Sequence, residues 1–195
     1  MVSSLCITLF GILSGTLSKF LDNIPTNELP SLLETLDIRN FLGGFAIWLF
    51  IALCVSIYSR SPFQAALHVF LFFIGMVGSY YLYSHYIAGF FPQSYALIWI
   101  GLTALSPFLG YICWYASGNG TFAILLSAGI LSVFINTAFA YGAGYIDLKS
   151  ELELFVLILS LIVLRRRSIK EMILLVVLAC LFAILFRFIS PFQFW

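Results

Sequence analysis

Long apolar runs separated by short polar stretches are the dominant pattern of the chain. Seven runs stand out, at residues 2–21, 41–59, 63–86, 95–116, 121–141, 152–164 and 172–189. A helix needs roughly 20 apolar residues to cross the hydrocarbon core of a bilayer. Six of the runs approach or exceed that length, and the sixth in order is short but can borrow from residues 146–151. An open sheet is excluded, because backbone groups in lipid must be satisfied within the segment. A barrel would show alternation, whereas these runs are apolar on every side. The pattern predicts an all-α, polytopic transmembrane helical bundle of about seven spans, or six if run 152–164 does not cross. Residues 1–195 form a single transmembrane domain in this reading.

The connections are short, at residues 60–62, 87–94, 117–120, 142–151 and 165–171. The exception is 22–40, where Pro30 followed by SLLETL predicts one or two turns of interfacial helix. Orientation follows from the basic residues. Arg165, Arg166, Arg167 and Lys170 lie in one connection and Arg60 in another, and seven spans put both on the side of the N-terminus. That side is therefore expected to be cytoplasmic, with Trp195 outside. The first run lacks a basic leader and continues past Gly15 without a small-residue cleavage site, so it reads as a retained span.

Composition agrees. The chain is 63% hydrophobic and only 9% charged, with mean hydropathy +1.10, which leaves too few charges to wet a soluble surface. Net charge is +1, so nucleic acid is not an expected partner. The cysteines, Cys6, Cys54, Cys113 and Cys180, each sit in a different apolar run without metal-ligand spacing, and read as buried packing residues. No metal and no cofactor is expected: the two histidines have no cysteine or carboxylate at ligand spacing. Hydrolase and phosphate-loop motifs are absent from the sequence.

Three constellations could carry function. In the first run Ser4, Thr8, Gly11, Gly15 and Ser18 share one helical face, with Gly11 and Gly15 as a GxxxG pair. Small residues let helix backbones approach in lipid, either within the chain or against a partner subunit. In the fourth run Pro107 interrupts the helix hydrogen bonding next to Ser106, with Trp99 close to the same face, and a kink of this kind exposes carbonyls that can hold a solute. Finally, Lys19, Asp22, Tyr80, Tyr83, Asn136, Glu151 and Arg187 all fall in the outer half of the predicted bundle. Charges in or near a membrane mark sites by default. Lys19 and Asp22 are expected to pair, and Arg187 to find Glu151 or Glu153.

The run SRSPFQAALHVFLFFIGMVGSYYLY at 59–83, GFFP at 89–92, the opening GILSGTLSKFLD at 11–22 and the stretch 99–107 resemble an uncharacterised family of bacterial multi-pass membrane proteins. The resemblance covers about the first two-thirds of the chain. It implies residence in the bacterial cytoplasmic membrane and no particular activity. In size and hydropathy alone the chain also resembles the substrate-binding membrane subunits of energy-coupling-factor transporters. That likeness implies solute binding near the outer surface and a small-residue face on the first span for a partner.

These features favour a small-solute binding or transport protein, or a membrane subunit of a permease. The ligand-binding set would be Lys19, Asp22, Tyr80, Tyr83, Trp99, Ser106, Asn136, Glu151 and Arg187, and Gly11, Gly15 and Ser18 would pack helices or meet a partner subunit or second copy. A non-catalytic membrane scaffold is the alternative. An intramembrane enzyme acting on lipid or peptide is the third reading, although no catalytic residue is identifiable.

Overall fold

The computed structural model describes residues 3–25, 28–142 and 144–189. Among the described residues the elements are α1 (Ser4–Asn23), α2 (Ser31–Thr35), α3 (Ile38–Gly43), α4 (Ala46–Ile57), α5 (Pro62–Tyr86), α6 (Gln93–Ala116), α7 (Thr121–Ala138), β1 (Phe139–Gly142), β2 (Tyr145–Leu148), α8 (Glu151–Val163) and α9 (Ile169–Ile189). Trp195 lies outside the described residues.

Five helices, α1, α5, α6, α7 and α9, are long and apolar enough to cross a membrane. They expose large apolar side chains such as Leu5, Leu13, Leu97, Phe108, Phe122, Ile173 and Phe188. A surface of this kind is unfavourable in water and ordinary in lipid. The protein is an all-α, membrane-embedded chain with one small hairpin.

Helix length gives five spans where the apolar pattern predicts about seven. The expected span 41–59 is divided: α3 ends at Gly43, the chain bends at residues 44–45, and α4 has only 12 residues. Paired glycines at 43 and 44 explain the break, since each is about 1 kcal/mol less favourable than alanine in a helix. The expected span 152–164 is α8, 13 residues long and so about 20 Å, shorter than the hydrocarbon core. The helix expected to reach residue 141 stops at Ala138. From there β1 and β2 form an antiparallel hairpin pairing Phe139 with Leu148 and Gly142 with Tyr145. β-Branched and aromatic residues favour the strands, and Gly144 at φ +95° supplies a turn conformation that other residues avoid.

The chain packs as two compact units, one of residues 1–39 and 55–114, the other of residues 40–54 and 115–195. The first is built on α1 and α5, which run parallel. Gly75 lies against the backbone of Thr8 and Ile12, Gly11 against Phe72 and Met76, and Gly15 against Met76 and Ser79. Ser79 Oγ donates to Ile12 O at 3.0 Å. α5 starts at an N-cap, Ser61, whose hydroxyl accepts from Gln64 N, with Pro62 in the first turn. α6 runs antiparallel to α5: Gly110 packs on Ala65, Ala66 and Val69, and Trp114 Nε1 donates to Ser59 O at 3.0 Å.

The second unit is organised around α7. α8 returns along it and α9 runs parallel to it: Arg166, just after α8, reaches the start of α7, while Ala183 of α9 meets Asn136 near its end. Ala128, Leu131, Phe134, Val156, Leu175 and Ala179 are almost fully buried and supply its core.

Candidate functional site

The small residues of α1 face α5. A Cβ on Gly11 would collide with the Phe72 carbonyl oxygen, and one on Gly15 with the carbonyl oxygen of Met76. Ser18 is buried on the same face. The stripe is therefore occupied by a helix of the same chain.

At the C-terminal end of α1, Lys19 Nζ donates to Asp22 Oδ2 at 2.5 Å. Tyr80 OH donates to the same oxygen at 3.4 Å, and the ammonium lies 5.3 Å from the centre of the Tyr80 ring. Lys19 is 7% exposed, so a carboxylate and an aromatic face replace its water. Tyr83 is half-buried on α5 and takes no part in this cluster.

α6 is continuous helix through Pro107, and the hydrogen bond that the proline removes is made good internally. Pro107 has no N–H for the carbonyl of Thr103, and Ser106 Oγ donates to that oxygen at 2.8 Å. Thr103 Oγ1 in turn donates to Trp99 O at 2.8 Å, and Trp99 is buried at one turn from the Tyr95 ring. The freed carbonyl thus already has a donor.

The remaining expected site residues belong to the second unit. Asn136 joins three elements: Nδ2 donates to Ala183 O at 3.1 Å, Oδ1 accepts from Tyr141 OH at 2.6 Å, and its carbonyl accepts from Lys149 Nζ at 3.1 Å. Donation to a carbonyl fixes which end of the amide is nitrogen. Arg187 lies 4.7 Å from the Tyr141 ring centre. Among the described residues it makes no salt bridge to Glu151 or Glu153; Glu151 is exposed and Glu153 buried, so the expected acid partner is corrected to an aromatic face. Burial lowers the Lys149 ammonium below its ordinary range, with Glu153 opposing and Arg187 adding to that effect. The nine expected ligand residues therefore divide between the two units.

Beneath Tyr141 lies a cleft of about 520 Å³ between α7, α8, α9 and the hairpin. Its walls include Leu131, Leu157, Val176, Ala179 and Ile184. The cysteines, expected to be buried, are corrected in two cases: Cys6 and Cys180 are exposed. An apolar thiol is as compatible with lipid as with a core.

Arg166 is the residue that sequence reasoning undervalued. It reads as an orientation marker, yet its guanidinium donates to Gly118 O at 2.6 Å, Ala116 O at 2.7 Å, Ala123 O at 2.9 Å and Ser127 Oγ at 2.5 Å. It ties the end of α6 to the start of α7. These acceptors are 39 to 50 residues away in sequence, so no local signal could announce them.

Catalytic geometry is weak. Ser59 Oγ and His68 Nδ1 are 3.2 Å apart, but the hydroxyl donates to Val55 O at 2.8 Å. With its proton directed to that carbonyl, the hydroxyl gives none to the imidazole and is not activated in this arrangement. Among the described residues no group of three or more His, Cys, Asp or Glu could hold a metal. Comparison with protein-family models, with curated proteins and with solved structures finds no match to the chain.

Proposed function

We propose that the chain crosses the membrane seven times and that its second unit binds an amphiphilic small molecule, as a binding or transport protein of the bacterial cytoplasmic membrane. Seven crossings are supported by where the short helices are anchored. Arg39 Nη1 donates to Ile24 O at the C-terminal end of α1, while Ser59 stands at the N-terminal start of α5. Since α1 and α5 are parallel, residues 39–59 must travel the length of the pair. As helix they reach about 30 Å, the thickness of the hydrocarbon core. Likewise Lys149 meets the end of α7 and Arg166 its start, so α8 returns across that helix. Counting seven crossings along the sequence puts the connections that carry Arg60 and Arg165–Lys170 on the side of the N-terminus, which the positive-inside rule makes cytoplasmic. A cysteine placed at Lys149 should react with an impermeant maleimide on intact cells, and one at Ser168 only after permeabilisation. The reverse result overturns the orientation.

The cleft carries the ligand reading. It lies within the size range of small-molecule sites, its walls are apolar, and its rim holds Tyr141 with Asn136 and Arg187 beside it. That combination suits an alkyl chain with a polar or anionic head. A photoactivatable alkyl amphiphile should label the cleft walls of α7 and α9, and unlabelled amphiphile in excess should abolish the labelling. Uniform, non-saturable labelling of the lipid-facing residues would remove the site. The scaffold reading drew on the small-residue face of α1, and α5 occupies that face. For the enzyme reading the geometry at Ser59 and His68 offers no activated nucleophile.

A further inference from the structure

A second cavity of the same unit lies at the turn between α8 and α9 and shares Leu161 with the cleft. It has a volume of about 360 Å³, with Arg165, Arg166 and Arg167 together with Ile158, Ile162 and Met172 in its lining. Four cations at positions 165–170 stand against one nearby carboxylate, Glu171, whose charge bears on Arg166. The three arginines differ in what they do. Arg166 is committed to the α6–α7 turn through its four hydrogen bonds. Arg165 and Arg167 are exposed and, among the described residues, form no ion pair. Ile158 and Ile162 are exposed on the neighbouring turns of α8. Two guanidiniums without a salt-bridge partner thus line an apolar trough just before α9, a helix long and apolar enough to cross a membrane.

From this arrangement we infer that the α8–α9 turn is a binding site for an anionic phospholipid, with the phosphate on Arg165 and Arg167 and an acyl chain along Ile158, Ile162 and Met172. The charge pattern selects this occupant. A guanidinium donates in a planar fork that matches phosphate oxygens, and at headgroup level it is less screened than in free solution. The apolar floor selects a lipid over a soluble phosphate, because an acyl chain fills it and an inorganic ion leaves it empty. Arg165 and Arg167 stand at the other end of α8 from Tyr141 on the cleft rim, so the site rests on the membrane placement proposed above and not on the amphiphile reading.

The test uses the full chain in nanodiscs of phosphatidylcholine, titrated with phosphatidylglycerol and read by native mass spectrometry. Arg165→Gln with Arg167→Gln should weaken phosphatidylglycerol retention about fivefold per charge removed. Both side chains are exposed, so thermal stability should stay at the wild-type level and confirm folding. Arg165→Lys with Arg167→Lys should fall between the two, since charge remains and the fork is lost. Ile162→Trp, which fills the trough, should reduce retention while leaving the charges intact. Unchanged retention in the double glutamine variant overturns the site. Unchanged retention in Ile162→Trp shows attraction by surface charge alone and overturns the acyl assignment. Competition by glycerol phosphate as effective as by the lipid shows a free-phosphate site and overturns the lipid assignment.

Discussion

The two units solve the same packing problem in opposite ways. In the first, glycines on both helices bring the backbones of α1 and α5 into direct contact, and polar atoms bridge the seam. In the second, α7, α8, α9 and the hairpin enclose a cleft whose walls include Leu131, Leu157, Val176 and Ile184. Without a hydrophobic drive between helices in lipid, close packing is what holds a bundle together. In the second unit polar ties add to the packing: the Asn136 bridge at one end of α7 and the Arg166 latch at the other. The first unit is thus close-packed along its α1–α5 seam, and the second encloses a cleft.

Glycine substitutions break this comparison most directly. Gly15→Leu should prevent accumulation of folded protein, and Gly15→Ala should cost about 3 kcal/mol, the upper end of overpacking penalties. Gly129→Ala on α7, where an added Cβ meets nothing within 4 Å, should be neutral or stabilising by up to ~1 kcal/mol. Thermal melts in detergent give both values, and equal losses at the two sites would refute the contrast. Arg166→Met should follow, destabilising by about 3 kcal/mol because it strips the donors from several carbonyls at once. Arg166→Lys should recover little, since one ammonium does not reproduce the fork.

Smaller effects sharpen the picture within the first unit. Asp22→Ala should cost about 1–2 kcal/mol by stranding the Lys19 ammonium, and Lys19→Met added to it should return most of that loss. A double-mutant cycle measures the coupling, and additive losses would contradict the pair. Ser106→Ala should cost about 1 kcal/mol by removing the donor to the Thr103 carbonyl. In a Pro107→Ala background the same change should cost almost nothing, because the residue-107 amide takes over that carbonyl.

Membrane residence and helix class were legible in the sequence because hydropathy reports directly on the solvent a segment needs. The Lys19–Asp22 pair was legible too, since a spacing of three puts both on one helix face. Contacts that close over long sequence separations were not. Nothing local distinguishes Arg166 from Arg165 and Arg167, and nothing near Arg187 selects the ring of Tyr141 over Glu151 or Glu153. The break at Gly43–Gly44 had a visible cause, but apolar residues on both sides masked it in a window average. The end of α7 is hidden in the pattern because Phe139, Ala140 and Tyr141 continue its apolar run into the strand.

The parallel seam between α1 and α5 has a consequence for biogenesis. About sixty residues separate Gly15 from its contact at Met76, which is roughly 3–12 s of synthesis at typical rates. Throughout that interval α1 lacks the helix that covers its glycines, and its lysine has not yet met Tyr80. Asp22 resolves the second difficulty, because it lies one turn away on the same nascent helix and neutralises the ammonium as soon as that turn forms. The carboxylate is thus placed to pair with the ammonium before the ring of Tyr80 has been made.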